Sequence, residues 1–168
     1  LSPKTPQLHY WFGKFLLHSE ENVDEAVEQF RIAHDLDLDS TEVSLALARG
    51  YLFQHEFDET QKLLIQLSPN ISTADDHLQK IYRDTEIQVL YRRGDDFSKS
   101  GNFGEAMGCL EEMRAKFQDL NEKHKDKHIR QKLTKCNYML QKILNSPRDD
   151  LNARASEMCS WIESESIS

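Results

Sequence analysis

Along most of the chain, apolar residues recur every three or four positions, the spacing that gathers them on one side of an α-helix. Between 103 and 119 they stand at Phe103, Ala106, Met107, Leu110, Met113 and Phe117, a single stripe with a polar face opposite. The pattern predicts helices over 7–18, 23–36, 40–54, 57–67, 74–99, 103–119, 126–145 and 148–163, and no strand. Near the C-terminus, Ile129, Leu133, Cys136, Leu140 and Ile143 form one face, and Leu151, Ala155, Met158 and Ile162 another. Boundary signals agree with this reading. Asp39 with Glu42 makes a capping-box-like start for the third helix, and Asn22 is a candidate N-cap for the second. Gly101, in the turn Lys99-Ser100-Gly101-Asn102, suits the left-handed conformation after a helix end. Ser146-Pro147 followed by Asp149 starts the last helix, and 165–168 is expected to be a frayed tail.

The helices are organised by a repeat. Val23-Asp24-Glu25-Ala26, Phe57-Asp58-Glu59-Thr60 and Phe103-Gly104-Glu105-Ala106 share one pattern, with steps of 34 and 46 residues between their small residues. Upstream of each lies another small residue, Gly13, Ala48 or Gly94, and four positions downstream a large one, Phe30, Leu64 or Leu110. Two antiparallel helices joined by a short turn approach closely only where side chains are small, so each pair marks the crossing point of a helical hairpin. His18 to Asn22 is the turn of the first hairpin.

These residues resemble the tetratricopeptide repeat family. The first copy is Trp11-Phe12-Gly13, Val23 to Ala26, Phe30, Ala33 and Leu36-Asp37. The second is Leu47-Ala48, Tyr51, Phe57 to Thr60 and Leu64, and the third is Leu90-Tyr91, Gly94, Phe97, Gly101-Asn102-Phe103, Glu105-Ala106 and Leu110. The resemblance covers Leu8 to Leu120 and implies an all-α fold, a right-handed α-solenoid of antiparallel helical hairpins. Residues 7–120 then hold three hairpins and 121–164 a degenerate fourth hairpin or capping helices, since the end of a solenoid must hide one apolar side and solvate the other. The copies depart from the family pattern. No proline closes the first, Ser68-Pro69-Asn70 closes the second early, and about twelve extra residues fall between Asn70 and Arg83, lengthening the first helix of the third.

Composition limits the chemistry. Gly and Pro together number 10 of 168 residues and the hydrophobic share is 38%, which excludes disordered and collagen-like classes. No apolar run approaches the roughly 18 residues of a membrane span. Cys109, Cys136 and Cys159 are an odd number without C-x-x-C spacing, so neither a disulfide framework nor a cysteine zinc site is indicated, and an intracellular, cytoplasmic setting is expected. Residues 1–6 read as a linker end or an expression remnant, and the chain as a piece of a larger protein in which it has a regulatory part. The net charge is -8. Residues 1–70 carry five basic against twelve acidic groups, whereas Lys123, Lys125, Lys127, Arg130, Lys132 and Lys135 are opposed between 123 and 135 only by Asp126. This basic segment is the basis of an alternative reading, a nucleic-acid-associated helical repeat. The overall charge and the lack of aromatics before Tyr138 disfavour it.

No catalytic constellation is present. The chain has no glycine-rich phosphate loop and no G-x-S-x-G, and no base is placed by spacing near any cysteine. Acidic pairs at Glu20-Glu21, Asp75-Asp76 and Asp149-Asp150 sit where turns and helix starts favour negative charge. His124 and His128, four apart beside Glu122 and Asp126, recruit no third ligand by spacing, so neither a metal nor any other cofactor is expected. The expected role is that of a non-enzymatic protein-protein interaction module, an adaptor or scaffold with a protein or peptide partner, or another domain of the parent chain. By the family resemblance, the first helices of successive hairpins would line a concave groove with Tyr10, Lys14, Glu42, Leu45, Arg49, Phe53, Gln88, Tyr91, Arg92, Asp95 and Lys99. A carboxylate clamp of the chaperone-tail kind is not implied, because the corresponding positions carry Tyr10, Lys14, Ala46, Gln88 and Arg92, and only Arg92 matches it.

Overall fold

A computed structural model describes residues 5–18 and 21–167. Among them helix is the only regular secondary structure, with α1 Pro6–His18, α2 Val23–Leu36, α3 Thr41–Phe53, α4 Phe57–Ile71, α5 Asp76–Lys99, α6 Phe103–Gln118, a 3-10 turn Glu122–His124, α7 Lys127–Lys135, α8 Asn137–Leu144 and α9 Asp149–Ile167. None of these helices is long and apolar enough to cross a membrane. The chain divides into two compact units, Leu1–Glu86 and Ile87–Ser168, with the boundary inside α5.

The predicted small-residue pairs meet. In the first unit α1 packs on α2 and α3 on α4. A Cβ built on Gly13 would lie 2.7 Å from the Phe30 ring and 3.2 Å from the Ala26 carbonyl oxygen. At the second crossing the fully buried Thr60 lies against the fully buried Ala48, its hydroxyl donating to the Glu56 carbonyl at 2.9 Å and standing 3.3 Å from the Ala48 carbonyl. Within the second unit, a Cβ on Gly94 would come 3.3 Å from the Cys109 Cβ and 3.7 Å from the Ala106 carbonyl. Gly50 adds a fourth close approach that the repeat did not predict. Its Cβ would meet the Val27 methyl at 2.7 Å, where α3 crosses the preceding α2.

Several boundaries differ from expectation. Ser40, not Asp39, caps α3, its hydroxyl accepting from the Val43 N–H at 3.3 Å. Asn22 occupies the N-cap position of α2 without a side-chain cap bond. Helix α4 does not close at Pro69 but runs through it to Ile71, without the backbone hydrogen bond to the Ile65 carbonyl that a proline cannot donate. The extra length before the third hairpin is therefore shared between α4 and the 24-residue α5, whose start is fixed by Asp75 accepting from the Leu78 N–H at 2.8 Å.

The expected helix 126–145 is two helices, interrupted at Cys136. There the backbone N–H donates to Leu133, three residues back, while the thiol donates at 3.3 Å to the Lys132 carbonyl that an unbroken helix would have paired with that N–H. Helix α9 begins at Asp149, beyond Pro147, and continues to Ile167, so the expected frayed tail is helical up to that residue. Pro6 opens α1 instead of belonging to a linker. Residues 1–4, the middle of the first turn with Glu20, and Ser168 lie outside the described residues.

Candidate functional site

The expected groove residues fall into both units, Tyr10 to Phe53 in the first and Gln88 to Lys99 in the second. Two of the first group are not surface residues. Leu45 is 2% exposed and Tyr10 is 7% exposed. The Tyr10 hydroxyl donates to Glu42 Oε1 at 2.7 Å, and Tyr10 also lies among the core residues of α1, α2 and α3. Burial first, then the hydrogen bond to Glu42, raises its pKa well above the usual phenol value, against a smaller opposing effect of Arg49. These two side chains pack between helices because both sit on faces covered by a neighbour. Lys14 and Glu42 are exposed, Arg49 and Phe53 half-buried, and the Lys14 ammonium stands 5.3 Å from the Tyr10 ring centroid and 5.0 Å from that of Trp11.

In the second unit the structure brings together residues that repeat spacing only half revealed. On α5, Tyr91, Asp95 and Lys99 follow one another at four-residue intervals and so share one ridge. Lys99 Nζ lies 2.6 Å from Asp95 Oδ2. From α8, the Tyr138 hydroxyl donates to the other oxygen of Asp95 at 3.1 Å, and Lys142 donates to Tyr138 at 3.2 Å with its ammonium 4.7 Å from the ring centroid. Hydrogen bonding to Asp95 raises the Lys99 pKa. Tyr91 is half-buried beside this cluster, and its pKa is raised by burial and then by the negative charge of Asp95. Gln88 and Arg92, on the same helix, are also half-buried. Tyr138 and Lys142 were absent from the expected set. Their signal in the sequence was a tyrosine and a lysine four apart on a short helix whose opposite face carries the buried Met139, Leu140 and Ile143.

The basic segment is in part internally committed. Lys125 pairs with Glu122 at 2.8 Å, and Arg130 with Glu165 at 3.0 Å. Both cations face the Phe117 ring, at 5.1 and 5.7 Å. Lys123, Lys127 and Lys135 are exposed, and Lys132 is half-buried. Among the described residues no group of three histidine, cysteine or acidic side chains is placed to hold a metal ion.

A shallow depression of about 190 Å³ is lined by residues of α2, α3 and α4, among them His34, Ser44 and Leu67. Ser44 Oγ lies 3.2 Å from His34 Nδ1, a serine-histidine contact. However, Ser44 sits inside a helix with its own N–H given to the Ser40 carbonyl at 3.0 Å, so the nucleophile's own amide is not available to an oxyanion.

Compared with family models, curated proteins and solved structures, the chain matches none.

Proposed function

We propose that the chain is a non-enzymatic helical-repeat interaction module, its hairpins stacked as in a tetratricopeptide solenoid, that holds a segment of a protein partner. The single observation that carries this reading is the Tyr91, Asp95, Lys99, Tyr138 and Lys142 cluster. Two aromatic rings and two ammonium groups stand on adjoining helices, with Tyr138 44% exposed. Such a surface suits an extended or helical segment carrying an apolar anchor flanked by carboxylates, because tyrosine supplies large contact area at low entropic cost and is enriched among residues that dominate binding energy. The agreement of three small-residue crossings with the repeat positions supports the hairpin register on which this reading depends.

The test compares proteins retained by the wild-type chain with those retained by the Tyr91→Ala, Arg92→Glu double variant, both first shown to be equally helical by circular dichroism. Partners lost from the variant, and bound with only a shallow dependence on salt, fit the reading. The same set retained by both chains removes it, and a steep loss of binding between low and moderate salt points to phosphate contacts instead.

A further inference from the structure

The face of α1 turned away from its own hairpin is apolar. Leu8, Trp11, Phe12 and Phe15 occupy the spacing of one helical stripe and are 41%, 62%, 43% and 75% exposed, while Tyr10, Gly13 and Leu16 on the opposite side are buried. The three aromatic side chains leave roughly 300–400 Å² in water, the size of the largest apolar patch on a typical monomer.

The chain itself shows what covers such a stripe. Gly13 on α1 and Ala48 on α3 are equivalent positions, since each receives the small residue of its following helix, Ala26 and Thr60 respectively. Carried over by the 35 residues between them, Leu8, Trp11, Phe12 and Phe15 correspond to Val43, Ala46, Leu47 and Gly50. Those four residues of α3 are the ones that α2 covers. Val43 and Leu47 belong to one core cluster with Val27 and Phe30, Ala46 packs against that cluster, and the Gly50 backbone meets Val27.

We infer that the outer stripe of α1 is a docking face for an amphipathic α-helix of a partner protein, seated on α1 as α2 is seated on α3. The equivalence also sets the chemistry of that helix. Where α3 offers Ala46 and Gly50, α1 offers Trp11 and Phe15, so the incoming helix must carry small residues at the positions where α2 has Val27 and Phe30. Helix α1 contains no carboxylate and bears Lys14 beside Trp11, which favours acidic residues along the flank of the occupant. A second copy of the chain is a poorer occupant. A second copy would set bulky rings against bulky rings, Trp11, Phe12 and Phe15 of one chain on those of the other.

The test uses the whole chain with Trp161→Phe, so that Trp11 alone reports fluorescence. The probe is a synthetic peptide with the α2 sequence, residues 23–36, carrying Val27→Ala and Phe30→Ala and held helical by a hydrocarbon staple at positions 31 and 35, both exposed on α2. The expected result is a saturable blue shift of Trp11 emission with protection from acrylamide. Affinity should fall at least about tenfold when the chain carries Phe15→Glu, and also when the peptide retains Val27 and Phe30, with the helical circular dichroism of the chain unchanged. Absence of a saturable shift, or binding indifferent to Phe15→Glu or to the small residues of the peptide, overturns the proposal. So does Trp11 shielding that grows with protein concentration alone alongside a dimer in sedimentation, which assigns the face to a second copy.

Discussion

The ring of Phe30 lies across the backbone of Gly13, so close that a methyl group on that glycine would come within 2.7 Å of it. Phe30 is fully buried and has no room to swing aside. Gly13→Ala should therefore lower stability by about 1–2 kcal/mol, the overpacking penalty exceeding the roughly 1 kcal/mol by which alanine favours a helix. Gly108, inside α6, meets nothing within 4 Å of a built Cβ, and Gly108→Ala should raise stability by about 0.5–1 kcal/mol. Urea unfolding of the two variants reads both effects, and equal shifts of the same sign would show that the first crossing has room for a methyl group.

The three thiols should react in an order set by burial. Cys136 is 1% exposed, and burial pushes its pKa up to about 12. Cys109 is 8% exposed with a pKa of about 11, raised by burial against a lowering effect of Arg93. Cys159 is half-buried, and its pKa is also raised by burial. Because the thiolate is the nucleophile, at pH 8 an aromatic disulfide reagent should label Cys159 first and Cys136 about a hundredfold more slowly or only on unfolding. Mass spectrometry of tryptic fragments gives the order.

Tyr10 makes stability depend on alkaline pH. Its folded pKa lies above that of an ordinary phenol, so the unfolded chain releases the proton more readily than the folded one. The contribution of Tyr10 is complete below about pH 10 and is lost as pH rises from there through the folded pKa. Tyr10→Phe should cost about 1 kcal/mol at pH 7, since the hydrogen bond to exposed Glu42 is lost, and should make the decline above pH 10 shallower. Urea midpoints at pH 8, 10 and 11 for both chains decide it.

Much of the fold was legible because helix periodicity and hairpin crossings are local signals. Gly13, Ala48, Thr60, Gly94 and Ala106 could be paired from spacing alone, since only small residues admit two backbones so closely. Where expectation failed, competing bonds decided the outcome. Ser40 outcompeted Asp39 as a cap, and the Cys136 thiol took a carbonyl from its own backbone. The candidate site was less legible. Tyr91, Asp95 and Lys99 lie on one helix and were found together, but their contacts Tyr138 and Lys142 come from a helix some forty residues on. Spacing also marks a face as apolar without saying whether anything covers it, which is why the family layout could assign Tyr10 and Leu45 to a groove although both are buried, and why the exposure of Trp11 and Phe15 was not foreseen.

Arg130 holds the end of α9 against the start of α7. Its guanidinium donates to both the carbonyl and the carboxylate of Glu165, at 2.9 and 3.0 Å, and to the Lys125 carbonyl at 3.1 Å, while lying against the Phe117 ring. With three directed bonds from one planar group, Arg130→Gln should cost about 1–2 kcal/mol, and Arg130→Lys should recover little because an ammonium cannot reproduce the fork. Lys123→Gln, at an exposed position of the same basic segment, should change stability by less than about 0.5 kcal/mol. Urea unfolding measures the cost, and amide hydrogen exchange over 160–167 should accelerate only in the Arg130 variants. If Arg130→Gln and Lys123→Gln prove equally mild and leave exchange unchanged, Arg130 is a surface cation like its neighbours, and its charge is again available to a phosphate-binding reading of the basic segment.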